Sequence, residues 1–162
     1  MINIRELTKA DYHKLEEFLY WAIFTPKGAK PPARDIIRNP DTSIYIESFG
    51  CSSDCGVIAE TGGQAIGAAW TRIIPAYGHI DDFTPELAIS VLPEYRSNGV
   101  GSKLMHALFG LLLNRDCKQT SLAVQKANPA VNFYLRLGYE IVKEKPEEYL
   151  MLKKLSPPRE KA

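Results

Sequence analysis

The spacing of apolar residues divides the chain into a helical front and a strand-rich remainder. After the strand-like opening INIREL, Tyr12, Leu15, Leu19 and Ile23 recur at helical spacing, the periodicity of one buried helix face. Thr8, followed three residues later by Asp11, has the form of a pair that caps the start of that helix. The run TPKGAKPP breaks the pattern. Two short helices are predicted beyond it, one in ARDIIR and one in NPDTSIYIESFG, where Asn39 and Pro40 stand near the start and Gly50 at the end.

The period then falls to two. CGVIAE and QAIGAAWTRII read as strands joined by the hairpin composition TGG. PELAISVL is apolar on both alternating faces, the pattern of a central strand covered on both sides. Val100, Leu104, Leu108, Leu111 and Leu112 form a helix stripe, and TSLAV is a further strand. Asn128 and Pro129 open the helix PAVNFYLRL, which Gly138 ends, and YEIVKE and EYLMLKKL close the chain as strands. This order predicts a mixed α/β sheet with helices packed on it.

At 162 residues, 45% hydrophobic and 24% charged, the chain is long enough for one domain with its own core. That domain is expected over residues 1–155, with the proline-containing tail 156–162 frayed. A net charge of +1 gives no field to draw in nucleic acid, and no basic run interleaved with aromatics points to such a partner. Charges interrupt MINIRELTKADYHKL where a secretory signal needs an apolar run, and no apolar stretch is long enough to span a bilayer. The expectation is a cytoplasmic protein without a membrane partner. Cys51, Cys55 and Cys117 match no zinc spacing and His13, His79 and His106 are scattered, so no metal is expected. Cys51 and Cys55 are expected as free thiols in that compartment.

One segment carries chemistry. In PEYRSNGVGSKLM, Arg96, Gly99 and Gly101 stand directly before the helical stripe. The first N–H groups of a helix lack intrahelical partners and carry the positive end of the peptide dipoles. Glycines let an anion approach those donors, and an arginine adds a charged fork, a combination suited to a diphosphate. Taken alone, the same residues would also make an ordinary strand-to-helix turn. A P-loop would need Gly-Lys-Ser/Thr where GSK stands. A dinucleotide fingerprint would need a glycine at Leu104 and an acid on the strand TSLAV. Neither ATP nor NAD fits.

ELAISVLPEYRSNGVGSKLM resembles motif A of the GNAT superfamily of acetyl-CoA-dependent N-acetyltransferases, in which Arg/Gln-x-x-Gly-x-Gly/Ala follows a strand and a short turn; Arg96, Gly99 and Gly101 fill that pattern. ANPAVNFYLRLGYEIV resembles the family's motif B, with Asn128 at the helix start and Tyr134 inside the helix. The N-terminal third matches in outline. The resemblance implies an α/β (α+β) fold of one domain: a mixed, mostly antiparallel sheet flanked by helices, with PELAISVL and TSLAV splayed into a wedge for acetyl-CoA. It implies that the backbone of Ile89, Ser90 and Val91 hydrogen-bonds the pantetheine arm and thioester. Arg96, Ser97, Asn98, Gly99, Val100, Gly101 and Ser102 would cradle the diphosphate, and Asn128 would touch the cofactor near its thiol end. A backbone N–H near Val91 would be left to polarise the acetyl carbonyl.

An amine acceptor arrives protonated and attacks only as the free base. The resemblance makes Glu86 the candidate base, the alternative being a solvated carboxylate at a strand end. Asp81 and Asp82 in HIDDF read as a solvated loop pair that could also meet a cationic acceptor. Tyr134 is the candidate acid for the leaving thiolate, because a phenol of pKa about 10 keeps its proton at neutral pH; the alternative is a core tyrosine packed with Phe133 and Leu137. Tyr20, Trp21, Phe24, Tyr45, Phe49, Trp70 and Tyr77 are expected mostly in the core, with one or two lining the acceptor pocket, and Arg72 is expected on the surface of its strand, the alternative being a contact to a carboxylate on the acceptor. The activity implied is transfer of acetyl from acetyl-CoA to a primary amine of a small molecule or protein, by direct attack in a ternary complex. A CoA-binding sensor or regulatory module of the same fold, without turnover, is the second reading. An exposed sheet edge could support a homodimer.

Overall fold

The computed structural model describes residues 1–156, so all but the first residue of the expected tail lies outside it. The predicted hairpin forms across TGG, pairing β2 (Cys55–Thr61) antiparallel with β3 (Gln64–Arg72). β1 (Asn3–Glu6) adds to the outer edge of β2, and β4 (Glu86–Val91) pairs antiparallel with β3. β5 (Gln119–Gln125) lies parallel to β4, while β6 (Glu140–Glu144) and β7 (Glu148–Lys154) complete an open seven-stranded sheet in the order β1-β2-β3-β4-β5-β7-β6. The sheet is mixed and mostly antiparallel, as the sequence implied.

Helices cover both faces because the strands alternate two apolar sets. α1 (Leu15–Ala22) puts Leu15, Phe18 and Leu19 against Ile58, Ala68 and Trp70. α3 (Val100–Asn114) packs Val100, Leu104, Met105 and Leu108 on the other face, over Val57, Ala69, Leu87 and Leu122. α4 (Ala130–Arg136) follows β5, and Gly138 ends it at a φ of 97°. Before α1 the capping pair forms: the Asp11 carboxylate accepts hydrogen bonds from the Thr8 N–H (2.8 Å) and hydroxyl (3.0 Å), opening the 3-10 turn Lys9–Lys14. No helix among the described residues is long and apolar enough to cross a membrane.

The short helix of ARDIIR forms, as a 3-10 helix over Arg34–Arg38. Two expectations need correction: α2 (Pro40–Ser43) is a single turn rather than a helix reaching Gly50, and Arg72, beside the point where it stops, is not on the surface but 6% exposed inside the protein. Its guanidinium donates to the carbonyls of Ile44 (2.9 Å) and Glu47 (2.7 Å), acceptors that a continuing helix would use internally, and pairs with buried Asp54 at 3.1 Å. The free thiols are as expected for Cys51, exposed, and Cys55, buried.

Candidate active site

β4 and β5 meet in register at one pair, Glu86 and Ser121, where the Ser121 N–H donates to the Pro85 carbonyl at 3.0 Å. Beyond that point the strands splay. The Leu92 N–H donates to Ile66 on the β3 side at 2.8 Å. Strand alternation therefore turns the backbone groups of Ser90 toward β3 and those of Ile89 and Val91 toward the gap. A cavity of about 940 Å³ opens there, between Ile89, Ser90 and Val91 on one wall and Asn128, Phe133 and Tyr134 on the other.

The start of α3 forms one end of this cleft. Its N-cap, Gly99, has a φ of 78° with nothing within 4 Å of where a Cβ would stand, so the conformation rather than crowding calls for glycine. The first helical bond runs from the Lys103 N–H to Gly99, and the backbone N–H groups from Ser97 to Ser102 have no hydrogen-bond partner among the described residues. Such a row is an anion cradle. Arg96 stands beside it, with Nε on the Val91 carbonyl (3.0 Å), Nη2 reaching the Trp21 carbonyl (3.5 Å), and its guanidinium 5.9 Å from the Trp21 ring. Ser97, Gly99, Val100, Gly101 and Ser102 line the cavity. Asn98 does not; its side chain turns back onto the Arg96 carbonyl at 3.2 Å. An unpaired strand edge leading to unpaired N–H donors and an arginine fits the amide-bearing arm and the diphosphate of acetyl-CoA.

Asn128 and Tyr134 reach the cleft from the opposite wall. Asn128 Oδ1 accepts from the Ala130 N–H at 2.9 Å, capping α4 and leaving the amide NH2 without a partner among the described residues. Tyr134 packs edge-on against Tyr139 (centroids 5.7 Å apart) and lines the cavity, its hydroxyl making no hydrogen bond among the described residues. Burial pushes its phenol up to about 12. The tyrosine is thus both packed and presented, where the sequence left those as alternatives.

Glu86 is placed differently from both sequence readings. It is 1% exposed, so it is not a solvated strand end, and it is not among the residues that line the cleft. Oε1 accepts from the Ala76 N–H (3.2 Å); Oε2 accepts from the Gly78 N–H (2.9 Å) and the Tyr45 hydroxyl (3.0 Å). Burial raises its pKa above the ordinary carboxylate value, against the opposing pull of these donors. Burial and the neighbouring Glu86 charge in turn push the Tyr45 phenol upward. Asp81 caps its own loop by accepting from the Phe83 N–H, and Asp82 is exposed.

Of the aromatics, Tyr20, Trp21 and Phe24 line the cleft, Trp70 is fully buried, and Tyr77 is exposed. Sequence reasoning missed Pro31 and Pro32, which the Tyr20 hydroxyl ties to α1 through the Pro32 carbonyl at 2.7 Å, and also missed Tyr95, Phe133 and Arg136. The pair TPKGAKPP announced a turn, and nothing in it announced a wall. Position in the two motifs was the available signal for the others, since Tyr95 adjoins Arg96 and Phe133 and Arg136 flank Tyr134.

Comparison with known proteins bears on the family and the fold. Residues 15–139 match the model of the acetyltransferase (GNAT) family. A mouse thialysine N-epsilon-acetyltransferase is 40% identical over 57 residues, 35% of this chain and 34% of that enzyme, so the match spans about a third of that curated relative. A GNAT-family acetyltransferase from Staphylococcus aureus Mu50 superimposes with a TM-score of 0.71 at 18% identity, over 96% of this chain and 100% of that one. The PaiA N-acetyltransferase from Thermoplasma acidophilum, solved with coenzyme A, gives 0.69 at 18% identity over 95% and 99%. The ribosomal-protein-S18-alanine N-acetyltransferase from Escherichia coli gives 0.68 at 18% over 100% and 99%. These structural likenesses are likenesses of fold. With the family model matched over most of its length, the chain belongs to the acetyltransferase (GNAT) family.

Proposed function

We propose that the protein, as one domain over residues 1–155, transfers an acetyl group from acetyl-CoA to a primary amine in a ternary complex. The observation that carries this reading is the meeting of a strand edge that β5 leaves unpaired, with the Ile89 backbone and the Val91 N–H facing the gap, and the unpaired N–H row of Ser97 to Ser102 in one cleft. Bound acetyl-CoA supplies the activated acyl group. The Ile89 and Val91 backbone holds the arm, and the Val91 N–H polarises the acyl carbonyl. Arg96 and the residues from Ser97 to Ser102 hold the diphosphate, and the Asn128 amide meets the thiol end.

Glu86 takes one proton from the arriving ammonium; the freed amine nitrogen then bonds to the acyl carbon, the carbon–sulfur bond breaks, and the nitrogen's second proton restores the phenol once Tyr134 has protonated the sulfur. Because Glu86 is buried outside the cleft lining, the proton reaches it indirectly, through water at Oε1, which accepts from the Ala76 N–H alone, or through the Tyr45 hydroxyl at Oε2. The Tyr134 hydroxyl gives its proton to the departing sulfur. A phenol raised to about 12 holds its proton securely at neutral pH, and the same dry surroundings raise the basicity of the thiolate it must protonate. A second reading for Glu86, an anchor that holds the 76–78 loop, is favoured by its three donors.

The acceptors in the relatives' names, thialysine and a protein alanine, are amines on unlike molecules, which supports a shared cofactor side and a divergent acceptor side. Calorimetric binding of acetyl-CoA, set beside thiol release with a panel of small amines and peptides, tests the proposal. Binding with acceptor-dependent release supports it. Binding without release on any amine supports the sensor reading, and no binding refutes both.

A further inference from the structure

A second cavity of about 350 Å³ lies between α3, α4 and β7 and adjoins the cleft, since Ser102, Phe133 and Arg136 line both. Three basic side chains converge on it from three elements: His106 of α3, Arg136 at the end of α4, and Lys153 of β7. Among the described residues none of them makes a hydrogen bond or ion pair, and none of those lining the cavity is a carboxylate. What sets the cluster apart is convergence: an arginine, a lysine and an imidazole from three elements face one cavity and leave it without a carboxylate among the described residues. Lys153 is instead held by apolar neighbours. Its ammonium sits 5.1 Å from the Phe109 ring centroid and occupies room left by Gly138, where a Cβ would stand 2.8 Å from Nζ. A net charge of +1 makes this cluster a local feature rather than a sample of a basic surface.

Two unpaired cations and an imidazole around an aromatic-lined cavity suit a ligand that joins a dianion to a flat ring. The position says which. The N–H row proposed to hold the diphosphate ends at Ser102, at the mouth of this cavity, and in CoA the diphosphate leads through one ribose to a 3′-phosphate and an adenine. We propose that His106, Arg136 and Lys153 bind the 3′-phosphate of the cofactor's adenosine, with Phe109 and Phe133 as the apolar walls, so that the protein selects CoA over its dephospho form. This rests on the proposed binding of acetyl-CoA in the wedge.

Calorimetry of CoA and dephospho-CoA, on the parent protein and on Lys153→Met, which keeps the apolar stem, tests it. The parent should bind CoA at least about tenfold more tightly than dephospho-CoA, the scale of a charged hydrogen bond. Lys153→Met should lose most of that preference while binding dephospho-CoA as the parent does. Equal affinity of the parent for the two nucleotides would overturn the phosphate site and leave the wedge reading standing; failure of both to bind would overturn both. A parent without preference that millimolar inorganic phosphate protects against heat, while Lys153→Met gains nothing, would show a site for free phosphate and overturn the assignment to the cofactor.

Discussion

Replacing Glu86 with glutamine separates the two roles open to it, and the structure sets the size of each effect. The carboxylate accepts from Tyr45, Gly78 and Ala76, hydrogen bonds worth about 1.5–3 kcal/mol each when the acceptor is charged. Burial opposes them, and the raised pKa shows that burial prevails over the donors' preference for the charged form. Neutralisation by itself is therefore nearly free, and the cost comes from geometry. The amide oxygen can keep Gly78 and Tyr45, which leaves the NH2 facing the Ala76 N–H across the longest of the contacts, 3.2 Å. One buried donor without an acceptor costs about 1–3 kcal/mol. At about 2–4 °C per kcal/mol for a chain of this size, Tm should fall by several degrees. The sign with pH follows from the raised pKa: the folded protein holds the Glu86 proton to higher pH than the unfolded chain, so its contribution is fully present below the ordinary carboxylate value and is lost as pH rises through the folded one. Glu86→Gln should remove that decline. If Glu86 is the base, turnover near neutral pH should also fall by about a hundredfold, recovering as pH rises and free amine becomes abundant. Melting curves and initial rates across pH, taken well below Tm, read both effects. Parental turnover with the lowered Tm would refute the base and leave the anchor; a loss equal at every pH would make Glu86 a positioning residue.

Arg96→Ala should weaken CoA binding by about tenfold to a hundredfold by calorimetry; Gly101→Val should do so as well without unfolding the protein, because a Cβ there meets Phe133 at an ordinary 3.5 Å yet projects into the cradle. Tyr134→Phe keeps the packing on Tyr139 and deletes the proton, so turnover should drop at unchanged Tm and cofactor affinity, and parental turnover would return the residue to the core alone. Asp54→Ala leaves Arg72 buried without its charge, which should cost about 3–5 kcal/mol in denaturant unfolding. Arg5 above all holds the Asp11 carboxyl far below the usual carboxylate range, so Asp11 stabilises the fold above its ordinary value and that contribution is lost as the pH falls; Asp11→Asn should flatten the acid limb of a stability profile.

The fold was legible where the physics is local. TGG, the Thr8–Asp11 pair, Asn128 before Pro129 and the terminating Gly138 each act on their own backbone, and each stands where the sequence put it. So was the unpaired N–H row at the start of α3, because consecutive residues supply both those groups and the adjoining arginine. What the sequence withheld is long-range. Arg72 reads as a surface residue by type, and its burial depends on Asp54 and on two carbonyls from residues 44 and 47. The length of α2 failed with it, since those carbonyls are what the helix would have used. Glu86 occupies a strand end by position, yet residues 45, 76 and 78 close over it.

That closure ties the fold to the site. A parallel pair of strands left to itself would pair along its length, and a wedge needs them held at one end and kept apart at the other. The closed end is fastened by the Ser121 N–H on Pro85, the Thr120 hydroxyl on the same carbonyl at 2.9 Å, and the Ser121 hydroxyl on the Gly78 carbonyl at 2.6 Å. Gly78 is wedged against β5, where a Cβ would stand 3.0 Å from the Ala123 nitrogen, and its N–H is what Glu86 accepts. Glu86 is thereby part of the fastening whichever way the proton moves. At the open end Arg96 holds the Val91 carbonyl, occupying the acceptor that a continuing ladder to β5 would take. The residue proposed to hold the diphosphate thus also helps keep the strand edge unpaired, so Arg96→Ala should weaken binding of a desulfo-pantetheine fragment that carries no phosphate, if more modestly than that of CoA. An unchanged fragment affinity would confine Arg96 to the diphosphate.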